Sequence, residues 1–96
     1  MLKVDDIKDL EILKRYGFNS YQINRNQTNY YRCFAYNSKL IIIDNITREV
    51  VIDKWHNEDN RIHKKPMCSR KDKTPLSDVM YDLIMDGVVV KQVEVE

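Results

Sequence analysis

Between residues 20 and 53 the chain breaks into short β-prone runs separated by turn residues, and this spacing constrains the fold more than any other feature. Tyr21–Ile23 starts one run and Tyr30–Tyr36 is rich in aromatics. Leu40–Ile43 is uninterrupted apolar sequence, and Glu49–Asp53 contains Val50, Val51 and Ile52. Aromatic and β-branched residues suit a pleated, half-buried surface. The intervening stretches, Asn24 to Asn29, Asn37-Ser38 and Asp44-Asn45, consist of residues whose short side chains bond their own backbone in turns. Connections of this length join antiparallel neighbours but cannot hold the crossover that a parallel pair requires. The spacing predicts an antiparallel meander of four strands.

Helical signals flank the meander. Val4, Ile7, Leu10, Leu13 and Tyr16 recur at intervals of three, with Ile12 widening the stripe, and predict an amphipathic helix over 4–16. Asp5, Asp6 and Asp9 lie toward its start and Lys14 and Arg15 in its last turn, the order that a helix dipole favours. Gly17 fits the left-handed position after a helix end, and Phe18 can close the hydrophobic contact beyond it. A second helix is predicted over 74–86, with Thr74 as N-cap, Pro75 in the first helical position and Gly87 as terminator. Leu76, Val79, Met80, Leu83 and Ile84 form its apolar stripe, and Asp78, Asp82 and Asp86 form a separate row. A last strand follows over 88–95. The expected fold is α+β, a single domain over 1–96 in the order α-β-β-β-β-α-β. Two helices pack on one face of an antiparallel sheet, with a long basic loop before the second helix.

The 96 residues carry 43% hydrophobic and 32% charged side chains, which excludes a disordered or fibrous chain and leaves room for one modest core. No apolar run approaches the length of a membrane span, and Met1–Asp6 lacks the apolar region of an export signal, so a cytoplasmic location without membrane contact is expected. Cys33 and Cys68 do not make a disulfide framework and are expected to be reduced, Cys33 as a small core hydrophobe. The abundance of Lys, Asn, Ile and Tyr, residues with AT-rich codons, hints at a bacterial or phage source.

The segment 54–73 fits neither the helical nor the strand period. Irregular stretches of this length are uncommon inside a compact domain and are usually functional or disordered. Within it, Arg61, Lys64, Lys65, Arg70, Lys71 and Lys73 stand against Asp72 alone, a net of +5 over 61–73. Residues 74–96 carry Asp78, Asp82, Asp86, Glu94 and Glu96 against Lys91, a net of −4. The formal net charge of +1 is thus a cancellation between a basic loop and an acidic C-terminal unit. The basic residues are candidates for binding nucleic-acid phosphates or an acidic protein surface; the alternative is a solvated loop, or one folded back on the acidic helix. Trp55 reads as the anchor of this segment in the core rather than a stacking platform.

Catalytic signals are weak. His56, His63 and Cys68 share the loop and are the metal-ligand candidates, but their spacing matches no common zinc pairing. Cys68 has cationic neighbours that favour a thiolate, yet no oriented base accompanies it. Two glycines cannot build a phosphate-binding loop. No cofactor is implied.

The strand Tyr30–Tyr36 presents Tyr30, Arg32, Phe34 and Tyr36 on one face and Tyr31, Cys33 and Ala35 on the other. A sheet covered by helices on one side buries one face. Either the larger face is exposed, as a platform for bases or a protein interface, or it is the core and Arg32 snorkels at its rim. The leading expectation is a small non-catalytic interaction protein, of the phage or mobile-element accessory or inhibitor kind, binding a host protein or a protein–nucleic-acid complex. Direct nucleic-acid binding through 61–73 is the alternative, a metal-dependent enzyme using His56 and His63 the second. Homodimerisation through the Val-rich last strand is a further candidate contact.

Overall fold

The computed structural model describes residues 2–34, 39–55, 60–62 and 73–91. Strand β1 (Leu2–Val4) leads into a 3-10 helix (Leu10–Tyr16). Strands β2 (Asn19–Gln22), β3 (Thr28–Phe34), β4 (Lys39–Asp44) and β5 (Val50–Lys54) follow, then helix α1 (Leu76–Met85) and strand β6 (Val89–Lys91). The expected meander is present: β2 to β5 form a four-stranded antiparallel sheet in chain order. Tyr31 stands between Asn19 and Ile42, and Ile42 opposite Val51. β1 and β6 form a second antiparallel pair, joined to the meander by a bridge between Lys3 and Glu49.

The N-terminal segment departs from the single helix expected over 4–16. Val4 pairs with Val89 and donates its N–H to the Arg48 carbonyl at 2.9 Å, so β1 is extended and the element order gains a strand at its start. Asp5 Oδ1 then accepts the Ile7 N–H and Asp9 Oδ1 accepts the Glu11 N–H. Short carboxylates that capture nearby backbone N–H groups compete with helix propagation. Ile7, a member of the expected stripe, is 85% exposed. Leu10 and Leu13 remain buried on the 3-10 helix, where an interval of three is the repeat itself.

Both helices end as the two glycines require. Gly17 has φ 81°, its N–H reaches the Lys14 carbonyl, and the N–H of buried Phe18 reaches the Leu13 carbonyl at 3.3 Å. Gly87 has φ 72°, its N–H reaches the Ile84 carbonyl, and the N–H of buried Val88 reaches the Leu83 carbonyl at 3.0 Å. This pair of bonds, closed by an apolar residue after the glycine, satisfies carbonyls that a helix end leaves open. At the start of α1 the cap position falls on Pro75, one residue later than expected.

The central strands β3 and β4 are buried on both faces, where helices alone would have buried one, while β5 is exposed over Val51–Lys54. Tyr30, Phe34, Ile41 and Ile43 form one cluster with Leu10, Leu13 and Phe18, with Val79, Met80 and Leu83 of α1, and with Val4, Val88 and Val89. Tyr31, Leu40 and Ile42 form the other with Ile62, and Tyr21, Cys33 and Trp55 pack against it. Among the described residues, Trp55 and Ile62 of the segment 54–73 supply cover on this second face.

Candidate interaction surfaces

Tyr30 and Phe34 lie in the core, so the large face of β3 is not an open platform, and the reading with Arg32 at the rim of that core is the arrangement found. The geometry is specific. Arg32 Nη1 donates to the Tyr16 carbonyl at 2.6 Å, and its guanidinium carbon sits 5.2 Å from the Phe34 ring centroid, within cation–π range. Gly17 passes so close that an added Cβ would lie 2.9 Å from Arg32 Nη1. The Tyr30 hydroxyl donates to Glu11 Oε1 at 3.0 Å. Burial pushes the Tyr30 phenol up, and its bond to Glu11 acts the same way. Glu11 is held below its ordinary value by Lys14 and then by Tyr30. Tyr36 lies outside the described residues.

Of the basic set, Arg61 is engaged by the fold. Its Nη1 meets Asp53 Oδ2 at 2.8 Å, its Nη2 donates to the Lys54 carbonyl at 3.1 Å, and its own carbonyl accepts from Nδ2 of buried Asn29 at 3.1 Å. These bonds set Ile62 into the second cluster. They also close one end of β5. Asp53 Oδ1 accepts the Lys54 N–H, so both backbone groups of Lys54 have side-chain partners and offer nothing to an incoming strand. Lys73 is exposed beside α1. Lys64, Lys65, Arg70 and Lys71 lie outside the described residues, as do His56, His63 and Cys68. Among the described residues no three His, Cys, Asp or Glu side chains gather as metal ligands. Trp55 is half-buried against the second cluster, in the anchoring position, and its Nε1 is buried without a hydrogen-bond partner among the described residues. Cys33 packs against the same cluster. The Val-rich last strand has β1 as a neighbour, with Val89 buried.

Two features escape the sequence reading. Arg48 has φ 60°, a left-handed conformation that costs a non-glycine residue about 1–2 kcal/mol. Its Nη1 donates to the carbonyls of Asp5 at 3.0 Å and Lys8 at 2.7 Å, holding the N-terminal turn against the β4–β5 connection. In that connection Asp44 accepts the N–H groups of Ile46 and Thr47 and the Thr47 hydroxyl. Burial alone would push the Asp44 carboxyl up, but these bonds outweigh it and hold the group below its ordinary value.

The second feature is the outer flank of α1. Tyr81 is 63%, Ile84 46% and Met85 65% exposed, although Ile84 belonged to the expected core stripe. At about 100° per residue, the fully buried Leu83 sets the inward direction, and Ile84, Tyr81 and Met85 occupy a neighbouring outward arc. Asp78 and Asp82 border that arc, both exposed, and neither side chain has an ion-pair partner among the described residues. Asp86, farther round, accepts the Tyr16 hydroxyl at 2.6 Å and ties α1 to the 3-10 helix. That bond is the main reason the Tyr16 phenol is pushed up to about 12.

The fold and these surfaces define a small α+β domain. Comparison with protein-family models, with curated proteins and with solved structures finds no match. Among the described residues, no helix is long and apolar enough to cross a membrane.

Proposed function

We propose that this chain is a small non-catalytic interaction protein, of the accessory or inhibitor kind, that binds a protein partner through the outer flank of α1. The observation that carries this reading is the exposed stripe Tyr81, Ile84 and Met85 on a domain whose central strands β3 and β4 are buried on both faces. Contiguous exposed apolar side chains mark contact sites more often than scattered ones, and Tyr and Met are enriched at interface centres. In this reading the basic residues Lys64, Lys65, Arg70, Lys71 and Lys73 steer toward an acidic patch of the partner separate from the part that meets α1. The engagement of Arg61 by Asp53 and the Lys54 carbonyl removes one cation from a phosphate-binding role and weighs against nucleic acid as the main partner.

Affinity capture from a bacterial lysate tests the reading, with the wild-type chain compared to a Tyr81→Ala/Met85→Ala variant of equal thermal stability. The expected result is saturable capture of a defined protein by the wild type and its loss in the variant. Capture of nothing by the wild type, or of the same proteins by both forms, overturns it.

A further inference from the structure

The flank that the proposed function rests on also restricts the chemistry of its partner. Its apolar arc of Ile84, Tyr81 and Met85 is bordered by Asp78 and Asp82, and α1 contains no basic residue over Leu76–Met85. Three occupants differ sharply on such a surface. A second copy packing α1 antiparallel against α1 would bring acidic flank onto acidic flank, and like charges in juxtaposition oppose association. Nucleic acid would place its phosphates beside the same two carboxylates. A protein segment with an apolar centre and a rim of Lys or Arg meets both halves of the surface: its centre covers Tyr81, Ile84 and Met85, and its rim meets Asp78 and Asp82.

We infer that the outer flank of α1 docks a basic amphipathic protein segment, in the helix-on-surface manner that reads anchors three and four residues apart. Tyr81, Ile84 and Met85 have that spacing. Tyr81 and Met85 supply contact area and Asp78 and Asp82 select charge, so the two pairs have separable effects. Tyr16 holds Asp86 on the far side of the acidic row, so Asp86 contributes less to this selection than Asp78 or Asp82.

The test titrates the isotope-labelled full chain with a synthetic helical peptide of about 14 residues, four turns long, with a leucine face rimmed by lysine. A control peptide has every lysine replaced by glutamate. The lysine peptide is expected to shift the backbone amides of 77–85 first, and the glutamate peptide to bind at least tenfold more weakly. Asp78→Lys/Asp82→Lys is expected to reverse that preference, and Tyr81→Ala/Met85→Ala to weaken both peptides. Because all four residues are exposed, unchanged amide positions elsewhere establish that the variants fold. Equal binding of the two peptides, shifts centred away from α1, or no binding of the lysine peptide overturns the inference. Concentration-dependent dimerisation abolished by Met85→Ala points to a second copy and also overturns it. The broader proposal fails separately: lysate capture that depends on Tyr81 and Met85 but is indifferent to Asp78 and Asp82 leaves it standing without the basic partner.

Discussion

Replacing Ile62 by alanine tests whether the 54–73 segment is part of the folded body. Ile62 is 2% exposed among Tyr31, Leu40 and Ile42. The substitution removes three carbons, worth about 0.8 kcal/mol each in transfer from water, or about 2.4 kcal/mol. The unfilled space left between the sheet and the segment adds a cavity term, so the expected loss is about 3 kcal/mol. For a domain of this size that lowers Tm by roughly 12–24 °C. Urea unfolding of the full chain, followed by far-UV circular dichroism, measures the loss. Ile7→Ala is the internal control: the same atoms are removed from a side chain 85% exposed, and the expected change is within about 0.5 kcal/mol. A loss at Ile62 no larger than at Ile7 would refute the packing of Ile62 on the second face, and with it the double cover of β3 and β4.

Further outcomes follow from single contacts. Gly17→Ala and Gly87→Ala both force alanine into a left-handed conformation, but only at Gly17 does the new methyl meet Arg32; Gly17→Ala is expected to be more destabilising by at least about 1 kcal/mol in urea unfolding. Arg48→Ala loses two charged hydrogen bonds and is expected to cost about 1.5–3 kcal/mol, while Arg48→Gly relieves the backbone and costs about 1 kcal/mol less. Trp55→Phe keeps most of the ring and removes a buried donor that has no partner among the described residues, so calorimetry is expected to find it near neutral. The Tyr16 phenol lies higher in the folded chain than in the unfolded one. Its bond to Asp86 is therefore fully present below about pH 10 and lost as pH rises toward about 12, and Tyr16→Phe is expected to flatten stability across that window. Asp44 has the opposite sign, since its carboxyl is lowered: its contribution is present above the ordinary carboxylate value and lost as pH falls through the folded value, a loss absent in Asp44→Asn.

The parts of the fold that were legible in the sequence are those set by local chemistry. Turn residues at 24–29 and 44–45 separate runs of β-prone residues, and the meander follows from them. Gly17-Phe18 and Gly87-Val88 carry the helix ends because only glycine enters the left-handed position cheaply and the next apolar residue then turns inward. Strand β1 was not legible, since its three residues find their strand partner in Val89–Lys91, far along the chain. The interval of three at Leu10, Leu13 and Tyr16 did hold the 3-10 signal, but an α-helical stripe contains the same interval. Ile62 gave no warning because one apolar residue in a polar stretch has no period. Of the surfaces, the aromatic face of β3 was readable as a face but not as inside or outside, because that depends on which layer covers it. The α1 flank was hidden for a similar reason: Ile84 matches the core stripe by spacing, and only the placement of α1 leaves it outside.

A photo-reactive residue placed at position 85 tests the central claim, that the α1 flank is where a partner sits, most directly. The same residue at position 46, an exposed isoleucine in the β4–β5 turn, is the control. The account predicts a discrete cross-linked protein from position 85, suppressed by Asp78→Lys/Asp82→Lys and absent from position 46. Adducts that are the same from both positions, or none from position 85, would contradict it.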